Sequence, residues 1–478
     1  MAAQSHAAEA NNPGVAARTL KHLSRDEAAH MDIGVFGQQP GMQIYTQILY
    51  VFDKTADRGS VISTLETGLA RLVATFPWLG GQIVLSPKDN RRHFAPLAGG
   101  PPPLVVKDVP EDILTYEALR ASGYAIRLLD ESVVAPRRTL PSPDEPAEMP
   151  VLLEQATFLK DGLFLTVVCH HAAMDMVGQT SVIEWLAKAC RGEQFSEEEL
   201  AVGNGDRIDA VDLLDVEDPF SLIPEQVLPP PAATTDTKTE AAPPPPPPPV
   251  TSAWSYFNFS KAAVQALKDE ATSTLPKDST VPFVSTNDAL SAFLWQSTLR
   301  ARRQRLDAST PSTFARAIDV RRIMGVARNY PGLLQNMTIH THPSSWVCDA
   351  SLGEASSELR AAILQPDRLR ERTRALATCF INHPDQANRL SFVGHVDPTA
   401  GGLMLSSWMT APGITTDFGI GGLPAAVRRP GFFPVESLAY LMPSDGDGTV
   451  AACICLREVD LALLTSDPAF TKYAQYVG

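Results

Sequence analysis

The sequence predicts an α/β protein with mixed sheets, divided into two halves. Three observations predict it. Short β-branched runs alternate with helical periods, a proline-rich stretch interrupts that alternation near the middle, and the composition is that of an ordinary globular protein. Of 478 residues, 44 % are hydrophobic and 20 % charged, which argues against wholesale disorder. The length suits two or three domains on a prior of about 150 residues each.

The elements follow in order. GMQIYTQILYVF (Gly41 to Phe52) is rich in β-branched and aromatic residues and reads as a strand. From Ser60 to Gly81, Ile62, Leu65, Leu69, Leu72 and Val73 recur at a helical period, and Phe76, Pro77 and Trp78 end it. LFLTVVC (Leu163 to Cys169) is a short buried strand; Val177 to Cys190 returns to a helical period through Ile183, Leu186, Ala187 and Cys190. In the second half, Ser285 and Thr286 are plausible caps for a helix over STNDALSAFLWQSTLRARR, with Asp288 in its first turn. RAIDVR and VAACICLREV read as strands.

The dividing stretch, 224–250, holds 11 of the 40 prolines. Seven in a row (Pro243 to Pro249) donate no backbone hydrogen bond and favour a stiff polyproline rod, while TTDTKTE has nothing to bury. It reads as a surface connector between residues 1–223 and 251–478. A docking segment for a proline-recognising domain is the alternative.

Forty Lys and Arg against 54 Asp and Glu give a net charge of −14, which disfavours nucleic acid as a partner. The densest basic runs of the second half, LRARRQR (Leu299 to Arg305) and VRR (Val427 to Arg429), are either solvated faces or contacts for an anionic ligand. None of the six cysteines forms a C-x-x-C pair. Cys453 and Cys455 share one face of a strand and read as core rather than as metal ligands or a redox pair. The N-terminal stretch has no signal-peptide pattern, and no run of 18 apolar residues occurs. The expectation is a cytoplasmic protein without a membrane span.

CHHAAMD (Cys169 to Asp175) is the most informative run. It follows an apolar strand and precedes a helix, so His170, His171 and Asp175 sit on a turn at a sheet end. Three readings stand. His171 and Asp175, four apart, could share a metal, although no further ligands complete a zinc site. Adjacent histidines could be satisfied packing groups. A histidine with a carboxylate nearby also suits general-base chemistry, because its ordinary pKa of about 6.5 lets it take a proton at neutral pH. Asp175 would then bond a histidine or pair with an arginine that stiffens the turn; spacing does not choose. No G-x-S-x-G elbow is present, and Cys169 precedes the histidines on a buried strand.

His171-Ala172-Ala173-Met174-Asp175, preceded by a second histidine, resembles the H-x-x-x-D motif of the BAHD acyltransferase family. DFGIG (Asp417 to Gly421) resembles its second signature, D-F-G-W-G. Leu65 to Ile83, STNDALSAFLW (Ser285 to Trp295) and Ile318 to Asn336 echo other family segments in the expected order. The fungal branch, typified by trichothecene 3-O-acetyltransferases, is nearer than the plant one. Three departures stand out: Met176 where many members have Gly, Ile420 in place of Trp, and Leu333-Leu334-Gln335-Asn336 without a clean glycine-asparagine pair.

The resemblance implies two chloramphenicol-acetyltransferase-like domains around one channel, joined by the long crossover, with part of 417–440 packing on the first domain. It implies an O-acyltransferase that uses acyl-CoA, foremost acetyl-CoA, as co-substrate and a small alcohol or amine as acceptor, foremost a hydroxyl of a fungal secondary metabolite. No tightly bound cofactor and no metal are expected, and a monomer is. His171 takes the general-base position, with His170 a further candidate; no acyl-enzyme forms. Asp175 is structural and pairs with an arginine, Arg321 by motif position. Asp417, Phe418, Gly419 and Gly421 form a mainly structural signature near the domain junction. Ser406, Ser407 and Trp408 precede it where members place acceptor-channel residues. A condensation-type domain taking its acyl group from a carrier-protein thioester, and a non-acylating binding or cyclising protein on the same fold, are the rivals.

Overall fold

The structure, a computed structural model, describes residues 18–53, 55–228 and 251–478. Most of the expected connector, including Pro243 to Pro249, lies outside the described residues.

The first half contributes β1 (Tyr45–Phe52), a ribbon of β2 (Gly81–Leu85) and β3 (Arg92–Pro96), then β4 (Val105–Asp108), β5 (Leu152–Leu159) and β6 (Gly162–His170). The second contributes β7 (Ser252–Phe259), β8 (Pro311–Asp319), β9 (Gln335–Pro343), β10 (Leu403–Ser407), β11 (Ala426–Arg428), β12 (Leu438–Leu441), β13 (Val450–Arg457) and β14 (Ala474–Tyr476). They form a five-stranded sheet in the order β11-β1-β6-β5-β4 and a seven-stranded sheet in the order β14-β7-β13-β12-β10-β8-β9. Both are mixed: β4 runs parallel to β5, and β10 runs parallel to β8 and β12.

All eight residues of β1 are buried, because it is paired on both edges. The strand opens at Tyr45 rather than Gly41, since Pro40–Met42 winds into a 3-10 turn with proline at its first position. β11 comes from the second half yet pairs with β1, Leu49 facing Arg428 and Val51 facing Ala426. A piece of the 417–440 segment thus completes the first sheet.

Helix α1 (Arg58–Thr75) is capped by the Asp57 carboxylate, which accepts from the Ser60 N–H, and buries Val61, Leu65, Leu69 and Leu72. Helix α2 (Met176–Cys190) packs beside it. Helix α3 (Thr286–Arg302) starts with a reciprocal cap between Ser285 and Asp288 and is buried around its circumference, because other helices flank it on the second sheet. RAIDVR is strand only to Asp319; Arg321 opens a helical turn, Arg321–Met324.

The chain is docked on the second half before the proline run begins. Pro224–Gln226 is a 3-10 turn, and the buried Gln226 amide donates to Asn336 Oδ1 (3.3 Å) and the Phe392 carbonyl (2.9 Å). Residues 224–228 are therefore not free connector. One apolar cluster spans the halves, joining Ile48, Val167 and Met174 to Trp254, Tyr256, Trp408 and Tyr440. Cys453 and Cys455 belong to it, on one face of β13.

Candidate active site

β6 ends at His170, and α2 begins at Met176 after five intervening residues. The turn between them is fastened through its backbone. The His170 N–H donates to the Val151 carbonyl (2.9 Å), the His171 N–H to Ile44 (2.7 Å) and the Ala173 N–H to His170 (3.0 Å). With the chain so fixed, the two histidines point to different environments.

His170 is fully buried, its ring 5.0 Å edge-on from Tyr45. Its Nδ1 accepts from the Ala172 N–H (3.2 Å), so the proton rests on Nε2, which has no partner among the described residues. Burial, reinforced by the neighbouring His171, pushes its pKa down to about 3. His170 stays neutral with its lone pair engaged.

His171 is partly exposed. Its Nδ1 lies 3.2 Å from the Met174 carbonyl. A carbonyl only accepts, so Nδ1 carries the proton and Nε2 keeps its lone pair. Burial lowers the pKa below the ordinary 6.5, against the opposing pull of the Met174 bond and the Asp175 charge. The ring is therefore neutral at pH 7 with an available nitrogen. That is the protonation state of a base.

Asp175 is the N-cap of α2, its Oδ1 accepting from the Gly178 N–H at 2.8 Å. Among the described residues it bonds no histidine. Arg321 of the second half reaches both oxygens, Nη2 to Oδ1 at 2.8 Å and Nη1 to Oδ2 at 3.0 Å, and the Leu334 N–H donates to Oδ2 at 2.7 Å. Arg321 also donates to the carbonyls of Tyr330 (2.9 Å) and Gly332 (2.6 Å) and to Asp319 (2.9 Å). Burial opposes its charge but is outweighed by Asp175 and Asp319, which hold the guanidinium protonated above its usual range. Gly178 is needed here: a Cβ would sit 2.1 Å from the Pro331 carbonyl oxygen.

DFGIG lies apart, against the far end of β1. The Phe418 ring packs edge-on to Tyr50 (5.2 Å) and Phe52 (6.3 Å), and the Ile420 carbonyl accepts from the Ala56 N–H (2.6 Å). Asp417 is exposed; its Oδ1 accepts from the Gly419 N–H (2.7 Å), and its carbonyl accepts from Arg191. Gly419 and Gly421 have φ of +70° and +88°. A Cβ on Gly421 would meet the Ala56 nitrogen at 2.5 Å.

The run Ser406, Ser407 and Trp408 is split by the strand period. The Trp408 indole donates to Ser406 Oγ (3.1 Å) and joins the cluster between the halves. Ser407 points to the opposite face, where its Oγ accepts from Asn287 of α3 (2.6 Å), so it does not belong with the other two. The basic runs are corrected as well. Arg302 is buried against Asp460 (3.1 Å) and Arg305 pairs with the same carboxylate (2.6 Å). Arg303 pairs with Asp349, and Arg428 is buried against Asp445 (2.7 Å). Carboxylates within the fold claim Arg302, Arg305 and Arg428, whereas Arg303 stays exposed in a surface ion pair.

Arg207 was invisible in the sequence, a lone arginine in a loop. It is buried over Trp78 (4.1 Å), and its Nη1 donates to the Ala173 carbonyl (2.6 Å) on the histidine turn. Among the described residues no group of three or more His, Cys, Asp or Glu side chains is placed to hold a metal, and no helix is long and apolar enough to cross a membrane.

Two protein-family profiles match the chain. Residues 44–190 match the trichothecene 3-O-acetyltransferase-like N-terminal domain and residues 134–471 the Transferase family. The chain is 43 % identical to trichothecene 3-O-acetyltransferase TRI101 of Fusarium sporotrichioides, over 94 % of this chain and 97 % of that one. The Fusarium graminearum TRI101 crystal structure with coenzyme A and deoxynivalenol superimposes with a TM-score of 0.85 at 41 % identity, covering 94 % of this chain and 100 % of that one. Vinorine synthase, 15 % identical, shares the fold (TM-score 0.64, 96 % and 97 % covered).

Proposed function

Because the chain belongs to the Transferase family, in its trichothecene 3-O-acetyltransferase-like branch, we propose that it is an acetyl-CoA-dependent O-acetyltransferase acting on a hydroxyl of a ring-bearing fungal secondary metabolite. The observation that carries the mechanism is the His171 Nδ1 bond to the Met174 carbonyl, which leaves the Nε2 lone pair of a neutral, partly exposed ring.

In this reading Nε2 takes the proton of the acceptor hydroxyl as its oxygen attacks the thioester carbonyl carbon. The tetrahedral adduct then collapses with cleavage of the C–S bond, and the same imidazolium returns the proton to the coenzyme A thiolate. No acyl-enzyme is required. His170, with its lone pair already bonded, is not the base. Asp175 and Arg321 are positioning residues that hold the turn in near-attack geometry. DFGIG is a structural anchor of the crossover, and Trp408 with Ser406 faces the acceptor. Residues 1–223 and 251–478 act as paired acyltransferase-like domains linked by 224–250. The protein works as a monomer in the cytoplasm, where acyl-CoA is found.

Thiol release from acetyl-CoA, measured against deoxynivalenol, T-2 mycotoxin and simple polycyclic alcohols, tests the reading. Turnover with at least one acceptor is expected, and His171→Ala should lower kcat at least about 100-fold with an unchanged melting curve. No thiol with any acceptor, or near-wild-type turnover by a folded His171→Ala, overturns it. Acyl transfer from a carrier-bound thioester alone would reassign the protein to condensation chemistry.

A further inference from the structure

Arg302, Arg316, Arg321 and Arg428 are buried guanidinium groups that each meet a carboxylate. Arg207 lacks one but donates a short bond to Ala173. Arg429 differs from all of these. It is 2 % exposed, forms no ion pair among the described residues, and its Nε and Nη1 have no hydrogen-bond partner. Nη2 makes one long bond, 3.4 Å, to Thr139 Oγ1. Aromatic rings surround it: Phe432 at 4.0 Å, Tyr440 at 5.0 Å and Trp408 at 5.8 Å from Cζ. Cation–π attraction offsets part of the desolvation, but a ring face leaves both N–H groups idle. A buried charge with idle donors is costly unless another molecule occupies the place.

The location says which molecule. Arg429 directly follows β11, the strand lent to the first sheet. The Thr139 carbonyl accepts from the Tyr45 N–H (2.8 Å), and Tyr45 stands opposite His170 in the β1–β6 register. The guanidinium therefore lies beside the strand ends that carry the histidine turn, near enough for its charge to act on the His171 ring. Its other wall is Trp408 and Tyr440 from the second sheet. Rings and one hydroxyl suit an apolar ring skeleton; the several cations that a polyphosphate needs are absent from this wall among the described residues.

We propose that Arg429 binds the acceptor, donating from Nε and Nη1 to a carbonyl or carboxylate oxygen that the acceptor carries besides the hydroxyl that reacts. This rests on the acyl-transfer reading above. The rigid fork fixes the ring's orientation and so selects which hydroxyl faces His171. Arg429 is then a determinant of regiochemistry, distinct from the proton-transfer machinery.

The test combines kinetics and stability on the full chain. Arg429→Met keeps an unbranched apolar stem and removes the guanidinium donors; Arg429→Lys keeps the charge without the fork. With acetyl-CoA and the acceptor panel above, deoxynivalenol first, Arg429→Met should raise the acceptor KM about ten- to a hundredfold. The KM for acetyl-CoA should stay within about twofold. Arg429→Lys should fall between Arg429→Met and wild type. Without substrate, the melting temperature of Arg429→Met should hold or rise, because the charge removed had no anion. An unmoved acceptor KM, an equal rise for acetyl-CoA, or a melting temperature lowered by more than about 5 °C overturns the inference, the last by making the guanidinium structural. If the wild type itself releases no thiol with any acceptor, the acyl-transfer reading fails and takes this one with it. Wild-type turnover with an unmoved acceptor KM in the variant sinks the Arg429 assignment alone.

Discussion

Arg321 of the second half grips Asp175 of the first through two parallel hydrogen bonds, 2.8 and 3.0 Å long, in a site where both side chains are almost wholly buried. The carboxylate also caps α2. One group thereby ties the helix after the histidine turn to the other half of the molecule. Bidentate geometry and full hydrogen bonding of both partners are the conditions under which a buried pair holds.

Removing one partner strands the other charge. Asp175→Ala is expected to cost about 3–5 kcal/mol in stability as well as activity, measured as a lowered denaturation midpoint. Replacing both, as Asp175→Leu with Arg321→Met, should cost less than the sum of the singles. An unchanged melting temperature with lost activity would mean that Asp175 acts on His171 rather than through the turn.

The pH–rate profile reports on His171. Its pKa lies below 6.5, so the acid limb of kcat/KM should fall at a pH below that value, where the imidazole becomes protonated and stops accepting. His170 titrates near pH 3 and should leave no mark between pH 5 and 9. An acid limb centred above pH 7 would contradict the neutral-ring description.

Glu154 provides a stability test that involves none of the proposed reacting groups. It sits on β5, 1 % exposed, with neither carboxyl oxygen bonded, and burial pushes its pKa up to about 8. In the unfolded chain the group ionises near pH 4.3. The folded state therefore binds the extra proton, so stability is full below about pH 4.3 and declines as pH rises toward about 8. Glu154→Gln should flatten that decline. Parallel melting-temperature curves for the two proteins from pH 5 to 8 would refute it.

Gly421→Ala probes the crossover anchor. The residue combines a φ of +88° with a Cβ position 2.5 Å from the Ala56 nitrogen, so strain and collision add. A loss of about 2 kcal/mol or more in stability is expected, with kcat of the folded fraction near wild type. A strong kcat loss at unchanged stability would move this signature into the reaction.

Much of this was legible in the sequence. β-branched and apolar runs placed β1 and β6, helical periods placed α1 and α2, capping residues placed the start of α3, and CHHAAMD fell on a strand–turn–helix link, because these patterns depend on near neighbours in the chain. The family resemblance supplied Arg321 as the partner of Asp175. Spacing alone left that choice open, since the two residues meet only after 146 positions fold back.

What the sequence determined by itself was which segments become the principal strands and helices, and that the paired histidines sit on a turn between a strand and a helix. Only the tertiary structure decided that His170 is buried and His171 partly exposed, that Ser407 faces away from Trp408, that Arg302 and Arg428 are claimed by interior carboxylates, and that Arg207 holds the turn. It alone left Arg429 without an anion. The physical reason is that burial and pairing are properties of what the folded chain brings alongside a side chain, and residues far away in sequence supply most of that.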